Sequence, residues 1–107
     1  MSNKDHEMLK RFKSGVVLHA SDLNNIDDVL HQIAKKNNIH LGSRLPWKSG
    51  AILTADSLNN LLIDVEKVFA GLLLGKIIWS FGKFKDGTVL KAEYLNEVVD
   101  RIQECIK

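Results

Sequence analysis

Four histidines, His6, His19, His31 and His40, are the side chains of this sequence best suited to metal binding or acid–base catalysis. Helical zinc sites usually place two histidines three or four residues apart, and no pair here has that spacing. His19 belongs to a sequence motif that occurs three times in the chain, and the equivalent residues of the other two copies are Thr54 and Lys91. A ligand or base would be needed in each copy, so His19 is predicted to be a surface histidine. The histidine spacing therefore predicts no metal site.

Cys105 is the one cysteine of the chain, which excludes an internal disulfide. It falls on the apolar stripe of the last predicted helix, where a small buried hydrophobe is the expected role. The sequence contains no glycine-rich phosphate loop, no His-Glu-x-x-His motif and no nucleophile elbow. These observations predict a protein that is not an enzyme, with no catalytic or cofactor-binding residues and no cofactor.

Three asparagines, Asn24, Asn59 and Asn96, each follow a leucine at equivalent positions. They could form a polar ring with a binding function. Alternatively, each amide could bond back to the backbone of the preceding loop and fix that loop to its helix. We favour the second interpretation, because it explains why every copy keeps the residue.

Three lysines, Lys13, Lys48 and Lys85, each follow an aromatic residue. Aromatic and basic side chains in alternation are typical of nucleic-acid contacts. Alternatively, the aromatic ring packs under its own helix while the lysine faces water. The second interpretation is favoured, because fifteen basic and thirteen acidic residues give a net charge of only +2. A protein that neutralises phosphates usually has a larger and clustered basic excess, so nucleic-acid binding is not expected.

These asparagines and lysines belong to a motif that occurs three times without gaps, over residues 12–24, 47–59 and 84–96. The shared pattern is aromatic-Lys-(Ser/Asp)-Gly-x-(Val/Ile)-Leu-x-Ala-x-x-Leu-Asn. The repeat glycines, Gly15, Gly50 and Gly87, indicate turns. A short extended apolar pair follows each turn, and Ala-x-x-Leu-Asn then opens a helix. The chain is therefore interpreted as a single domain, 1–107, built of three repeats at about 11–46, 47–82 and 83–107.

The apolar periodicity predicts a mainly α fold of three loop-plus-helix units, with short extended or hairpin segments before each helix. The predicted helices are Ser21–Lys36, Asp56–Leu74 and Glu93–Ile106. The repeated leucines of all three copies are expected to share one core. Residues 77–79 could add a strand, with residues 88–90 as its hairpin partner.

The second predicted helix is apolar on two sides, which is typical of a central helix or of a subunit interface. The apolar sequence continues through residues 77–81, in a connecting segment that is expected to lie at the surface. Exposed apolar patches of several hundred Å² usually mark interfaces. We therefore predict that Phe69, Leu73, Ile78 and Trp79 contribute to a subunit contact. The partner could be the same chain, in a small ring or trimer, or another protein.

Composition is that of an ordinary globular domain, with 45% apolar and 26% charged residues. The N-terminal residues 1–13 are polar and lack the apolar region of a secretory signal, so a cytoplasmic location is expected at first. The most apolar stretch, residues 58–79, contains four charged residues and is a poor membrane span. No membrane association is expected.

The segment from Gly50 to Asn59, G-A-I-L-T-A-D-S-L-N, resembles a G-x-x-L-T-A-x-x-L-N element of bacteriophage virion appendage proteins. Tail-fibre, baseplate and head-fibre subunits often carry it where the fibre joins the particle. The other two copies depart from it at His19 and Lys91, where the element has threonine.

The resemblance implies a small structural or adaptor component of a phage particle that binds other virion proteins. It also implies a location in the virion, preceded by the host cytoplasm, and a homo-oligomer, with a trimer favoured. A small phage-encoded cytoplasmic factor is the alternative, either an assembly chaperone or a regulator that binds nucleic acid or a host protein.

Overall fold

The computed structural model describes residues 11–13, 18–42, 46–49, 54–85 and 90–106. Within these residues it contains three helices and no strand: α1 (Ala20–Lys36), α2 (Ala55–Gly71) and α3 (Ala92–Ile106). The mainly α fold class is therefore confirmed. The repeat glycines, Gly15, Gly50 and Gly87, and most of the predicted extended pairs lie outside the described residues.

Each helix begins at the repeat alanine, one residue before its predicted start. In α1 and α2 the residue ahead of that alanine is the N-cap. In α2, Thr54 Oγ1 accepts a hydrogen bond from the Ser57 amide at 3.2 Å. In α1, the His19 amide instead donates to Asp22 Oδ2 at 3.0 Å. In both arrangements a side-chain oxygen accepts a hydrogen bond from a backbone amide at the start of the helix.

The ends of α1 and α2 are reversed by residues in the left-handed region, Asn38 with φ 58° and Leu73 with φ 61°. The amide that follows each of them donates to a carbonyl five residues earlier, at 2.8 and 2.9 Å, as in a Schellman motif. This reversal ends α2 at Gly71, three residues before its predicted end at Leu74. None of the helices in the described ranges is long and apolar enough to cross a membrane.

The three helices form one core, in which each helix packs against both of the others. The repeat leucines Leu23, Leu58 and Leu95 are all buried in it, as the repeat predicts. Burial also follows the repeat along the helices: the positions two and six residues after each repeat asparagine are buried in every copy. The three copies therefore have equivalent places around a common centre.

Part of the second apolar face of α2 is buried, and the segment that follows the helix packs against α2. Leu62 and Phe69 are buried, and so are Ile77 and Trp79 of that segment. Residues 77–79 are irregular, so the strand predicted there is wrong. The Phe81 ring extends the contact to α3, where its centroid lies 4.8 Å from that of Tyr94. Part of the apolar surface that was expected to need a partner protein is thus buried within the chain itself.

Candidate functional site

The repeat asparagines bind aromatic residues through paired hydrogen bonds to the backbone. Asn24 Oδ1 accepts from the amide of Trp47, and Asn24 Nδ2 donates to the Trp47 carbonyl, both at 2.9 Å. Asn59 makes the same two bonds with Phe84, at 2.8 and 2.9 Å. Each side-chain amide thereby satisfies both polar backbone groups of one residue. We call this arrangement an asparagine clamp.

The third clamp joins the two ends of the described chain. Asn96 in α3 accepts from the Phe12 amide at 2.7 Å and donates to the Phe12 carbonyl at 2.9 Å. An ion pair between Arg11 and Asp100 lies beside it. The first copy is therefore bound to the second, the second to the third, and the third back to the first, which closes the copies into a ring.

The prediction for the asparagines is right in the kind of bond, a hydrogen bond from the side-chain amide to the backbone, and wrong in the partner residue. Each amide was predicted to bond to the loop before its own helix. Asn24 and Asn59 instead bind the aromatic residue that begins the following copy, and Asn96 returns to the first copy. The clamps connect neighbouring copies and engage both atoms of each amide. This geometry is that of a structural device.

The repeat lysines are exposed in all three copies: Lys13, Lys48 and Lys85. The aromatic residue ahead of each lysine packs against the core, with Phe84 buried and Phe12 and Trp47 partly buried. The inward ring and the ammonium group in water agree with the favoured interpretation, whereas the packing of each ring under its own helix stays a prediction.

Two of the four residues predicted at a subunit contact lie in the chain's own core. Phe69 is 5% exposed and Trp79 is 7% exposed. The Trp79 indole Nε1 also donates to Glu66 Oε2 on α2 at 2.8 Å. Leu73 and Ile78 are different, since they are 92% and 86% exposed. Of the four predicted contact residues, Leu73 and Ile78 are therefore the two that remain available to a partner.

Leu73 stands out by comparison with the residue that matches it in the first copy. Asn38 and Leu73 occupy the same left-handed position after their helices. Asparagine adopts this conformation readily, whereas a leucine there is strained by its Cβ. The leucine also exposes nearly all of its apolar surface to water. Strain and exposure at one residue are typical of a functional position.

A surface cavity of about 580 Å³ lies beside Leu73. It is lined by residues from the end of α2 and the following turn: Glu66, Ala70, Leu73, Gly75, Lys76 and Ile77. Its apolar floor and two charged side chains of opposite sign suit a peptide-like surface better than a small charged ligand. Leu73 thus lies at the edge of a concave apolar surface.

Cys105 is buried in α3, as predicted, and its thiol lies 3.5 Å from the Arg101 carbonyl oxygen. Burial, together with the nearby Glu104 carboxylate, raises the pKa of the Cys105 thiol from 9.0 to about 11. The thiol therefore stays protonated at neutral pH and is a poor nucleophile.

The structure brings together a cluster of ionisable side chains that the histidine spacing does not predict: Asp27, His31 and Asp64. The cluster combines one histidine with two carboxylates, so the spacing between histidines gives no sign of it. The signal that could have found it is the spacing of Asp27 and His31, which are four residues apart and therefore on one face of a helix.

Comparison of the chain with models of protein families, with curated proteins and with solved structures found no match. The function of the protein is therefore inferred from its own residues and geometry.

Proposed function

We propose that this protein is a small structural adaptor of a bacteriophage particle, which acts by binding other virion proteins and copies of itself. The repeat motif carries the resemblance to phage appendage subunits. The structural observation that carries a binding function is the exposed Leu73 at the edge of an apolar cavity, with a second exposed apolar side chain, Ile78, five residues further along the chain.

This surface is suited to a protein partner because of its chemistry. Large apolar side chains that are almost fully exposed lose contact with water when a second protein covers them, which is favourable by about 25 cal/mol per Å². Leu74 adds a further exposed apolar side chain to the same turn. The charged rim of Glu66 and Lys76 supplies polar contacts around the apolar centre, the arrangement usual in protein interfaces.

The closed ring of clamps supports an adaptor in a second way. All three copies are engaged with one another, so the fold holds a fixed shape from which the Leu73 turn projects. A preorganised surface binds with a smaller entropy loss than a flexible one. A trimer of the protein is the favoured oligomer, in which each of the three chains contributes one Leu73 surface.

Replacing Leu73 by asparagine is expected to separate binding from stability. The variant Leu73→Asn takes the residue that the first copy uses at Asn38, so it removes the exposed apolar side chain and relieves the left-handed strain. We expect association to be lost, while the free energy of unfolding rises by about 1 kcal/mol. Multi-angle light scattering against concentration and urea denaturation measure the two effects.

The matched control is Ile63→Gln, which removes an exposed apolar side chain of α2 that does not line the cavity. It should leave association unchanged. A wild-type chain that stays monomeric at high concentration contradicts the homo-oligomer, and leaves another virion protein as the partner. Equal incorporation of wild type and Leu73→Asn into particles contradicts a role for this surface.

Mass spectrometry of purified particles tests the phage assignment itself. An adaptor should be present in fixed stoichiometry with the fibre or baseplate subunits. If the chain is found only in the lysate, it is instead a cytoplasmic factor of the infected cell.

A further inference from the structure

Asp27, His31 and Asp64 bring three metal-binding side chains together between α1 and α2. One donor atom from each residue lies within 4.8 Å of the donors of the other two. Asp27 and His31 are one turn apart on α1, and Asp64 approaches from α2. Two ligands from one helical turn and a third from a neighbouring helix are a common way to build a metal site in a helical protein.

The three-copy repeat shows that the carboxylates are not required by the fold. The position of Asp27 is held by Leu62 and Val99 in the other copies, and both of these are buried in the core. The position of Asp64 is held by the buried Val29 in the first copy and by the partly buried Arg101 in the third. Each carboxylate therefore lies at a position where at least one other copy buries an apolar residue, and burial of a charge is unfavourable there. They occur in adjacent helices and face the same histidine, which indicates a common purpose.

The separation of the His31 and Asp27 donor atoms fits a bound metal better than a direct hydrogen bond. His31 Nε2 lies 3.4 Å from Asp27 Oδ1, longer than the usual 2.7–3.2 Å for such a bond. The Nε2 atom is also buried and has no hydrogen-bond partner among the described residues. Two ligands of a tetrahedral zinc ion, each about 2.1 Å from the metal, are about 3.4 Å apart.

We propose that Asp27, His31 and Asp64 bind a zinc ion. An imidazole nitrogen with two carboxylate oxygens is a donor set that zinc accepts, and two positive charges balance the two carboxylates. The side chain of His31 is about one-third exposed, so an ion can enter from solvent and a water molecule can complete the coordination. The ion would link α1 to α2 and stabilise their packing.

The test titrates the full-length protein with zinc sulfate, by calorimetry and by thermal denaturation. We expect one zinc ion per chain, and a rise in melting temperature of about 10 °C at free zinc a hundredfold above the dissociation constant. Cobalt(II) bound at the same site should give the visible absorption bands of a tetrahedral complex, which vanish on addition of zinc.

The repeat supplies the variants, each taking the residue of an equivalent position: Asp27→Leu, His31→Gln and Asp64→Val. Each should weaken zinc binding by more than about 10- to 100-fold, since loss of even an outer-shell partner has that effect. Because these residue types already occur at the matching positions, the variants should keep the helical circular dichroism of the wild type. His40→Gln changes an exposed histidine outside the cluster and should bind zinc like the wild type.

Two results overturn the proposal. If zinc neither binds nor shifts the melting temperature, the cluster is an Asp27–His31 ion pair only. If zinc binds equally to the wild type and to all three variants, the metal lies elsewhere on the chain.

Discussion

Replacing Asn59 by alanine should lower the free energy of unfolding by about 2–4 kcal/mol. The change removes both hydrogen bonds to the Phe84 backbone and leaves its amide and carbonyl without a partner. A buried polar group that loses its partner costs about 1–3 kcal/mol, and two such groups are affected here. Urea denaturation followed by circular dichroism measures the effect.

The control for this prediction is the adjacent residue. Asn60 is exposed and has no repeat role, so Asn60→Ala should change stability by less than about 0.5 kcal/mol. An Asn59→Ala variant that melts like the wild type would show that the asparagines are dispensable for folding. The interpretation of the three asparagines as a functional polar ring would then be the better one.

Replacing Trp79 by alanine should be still more harmful, with a loss of about 3–5 kcal/mol. The indole is buried, lies 5.7 Å from the Phe81 ring and donates a hydrogen bond to Glu66. Truncation therefore opens a cavity over α2 and leaves that carboxylate without the indole. Since small domains are stable by only about 5–15 kcal/mol, the variant should unfold on mild heating, which a thermal melt records.

The neighbouring residue provides a matched comparison for Trp79. Ile78 is 86% exposed, so Ile78→Ala should leave the melting temperature of the monomer nearly unchanged. Equal effects of the two substitutions would contradict the packing of the connecting segment. The comparison also shows why Trp79→Ala cannot test oligomerisation: it removes part of the monomer's core, whereas Leu73→Asn does not.

The helices could be predicted from the sequence because their apolar residues recur with helical period and their starts share one motif. The end of α2 could not, since Leu73 and Leu74 continue the apolar pattern although the backbone has already reversed. Apolar periodicity reports which residues avoid water in a helix, and it carries no signal for a leucine held in the left-handed region.

The packing of the segment after α2 against that helix could not be predicted from the sequence pattern either. Connecting segments usually run over the surface, and on that basis Trp79 was assigned to an interface. The structure places its ring in the core, because the segment after α2 returns across the same helix. A sequence pattern shows that an apolar face needs a partner, and it does not show whether the chain itself supplies that partner.

The asparagine clamps and the cluster around His31 also differ in how far the sequence could predict them. That the three asparagines have one shared structural role could be predicted, because they are identical in all copies. It could not be predicted that each asparagine binds a neighbouring copy, because the path of the chain decides which aromatic residue lies near it. The cluster around His31 was missed because its third member, Asp64, is brought in by packing of the helices.

The closing of the ring has a consequence for the order in which the protein folds. The first two clamps join residues 23 and 25 positions apart, whereas the clamp of Asn96 with Phe12 spans 84. Closing the longer loop costs about 1 kcal/mol more in chain entropy. The two short-range clamps should therefore form first, and the long one should close last and open most often. In hydrogen exchange, the Phe12 amide should lose its proton sooner than the amides of Trp47 and Phe84.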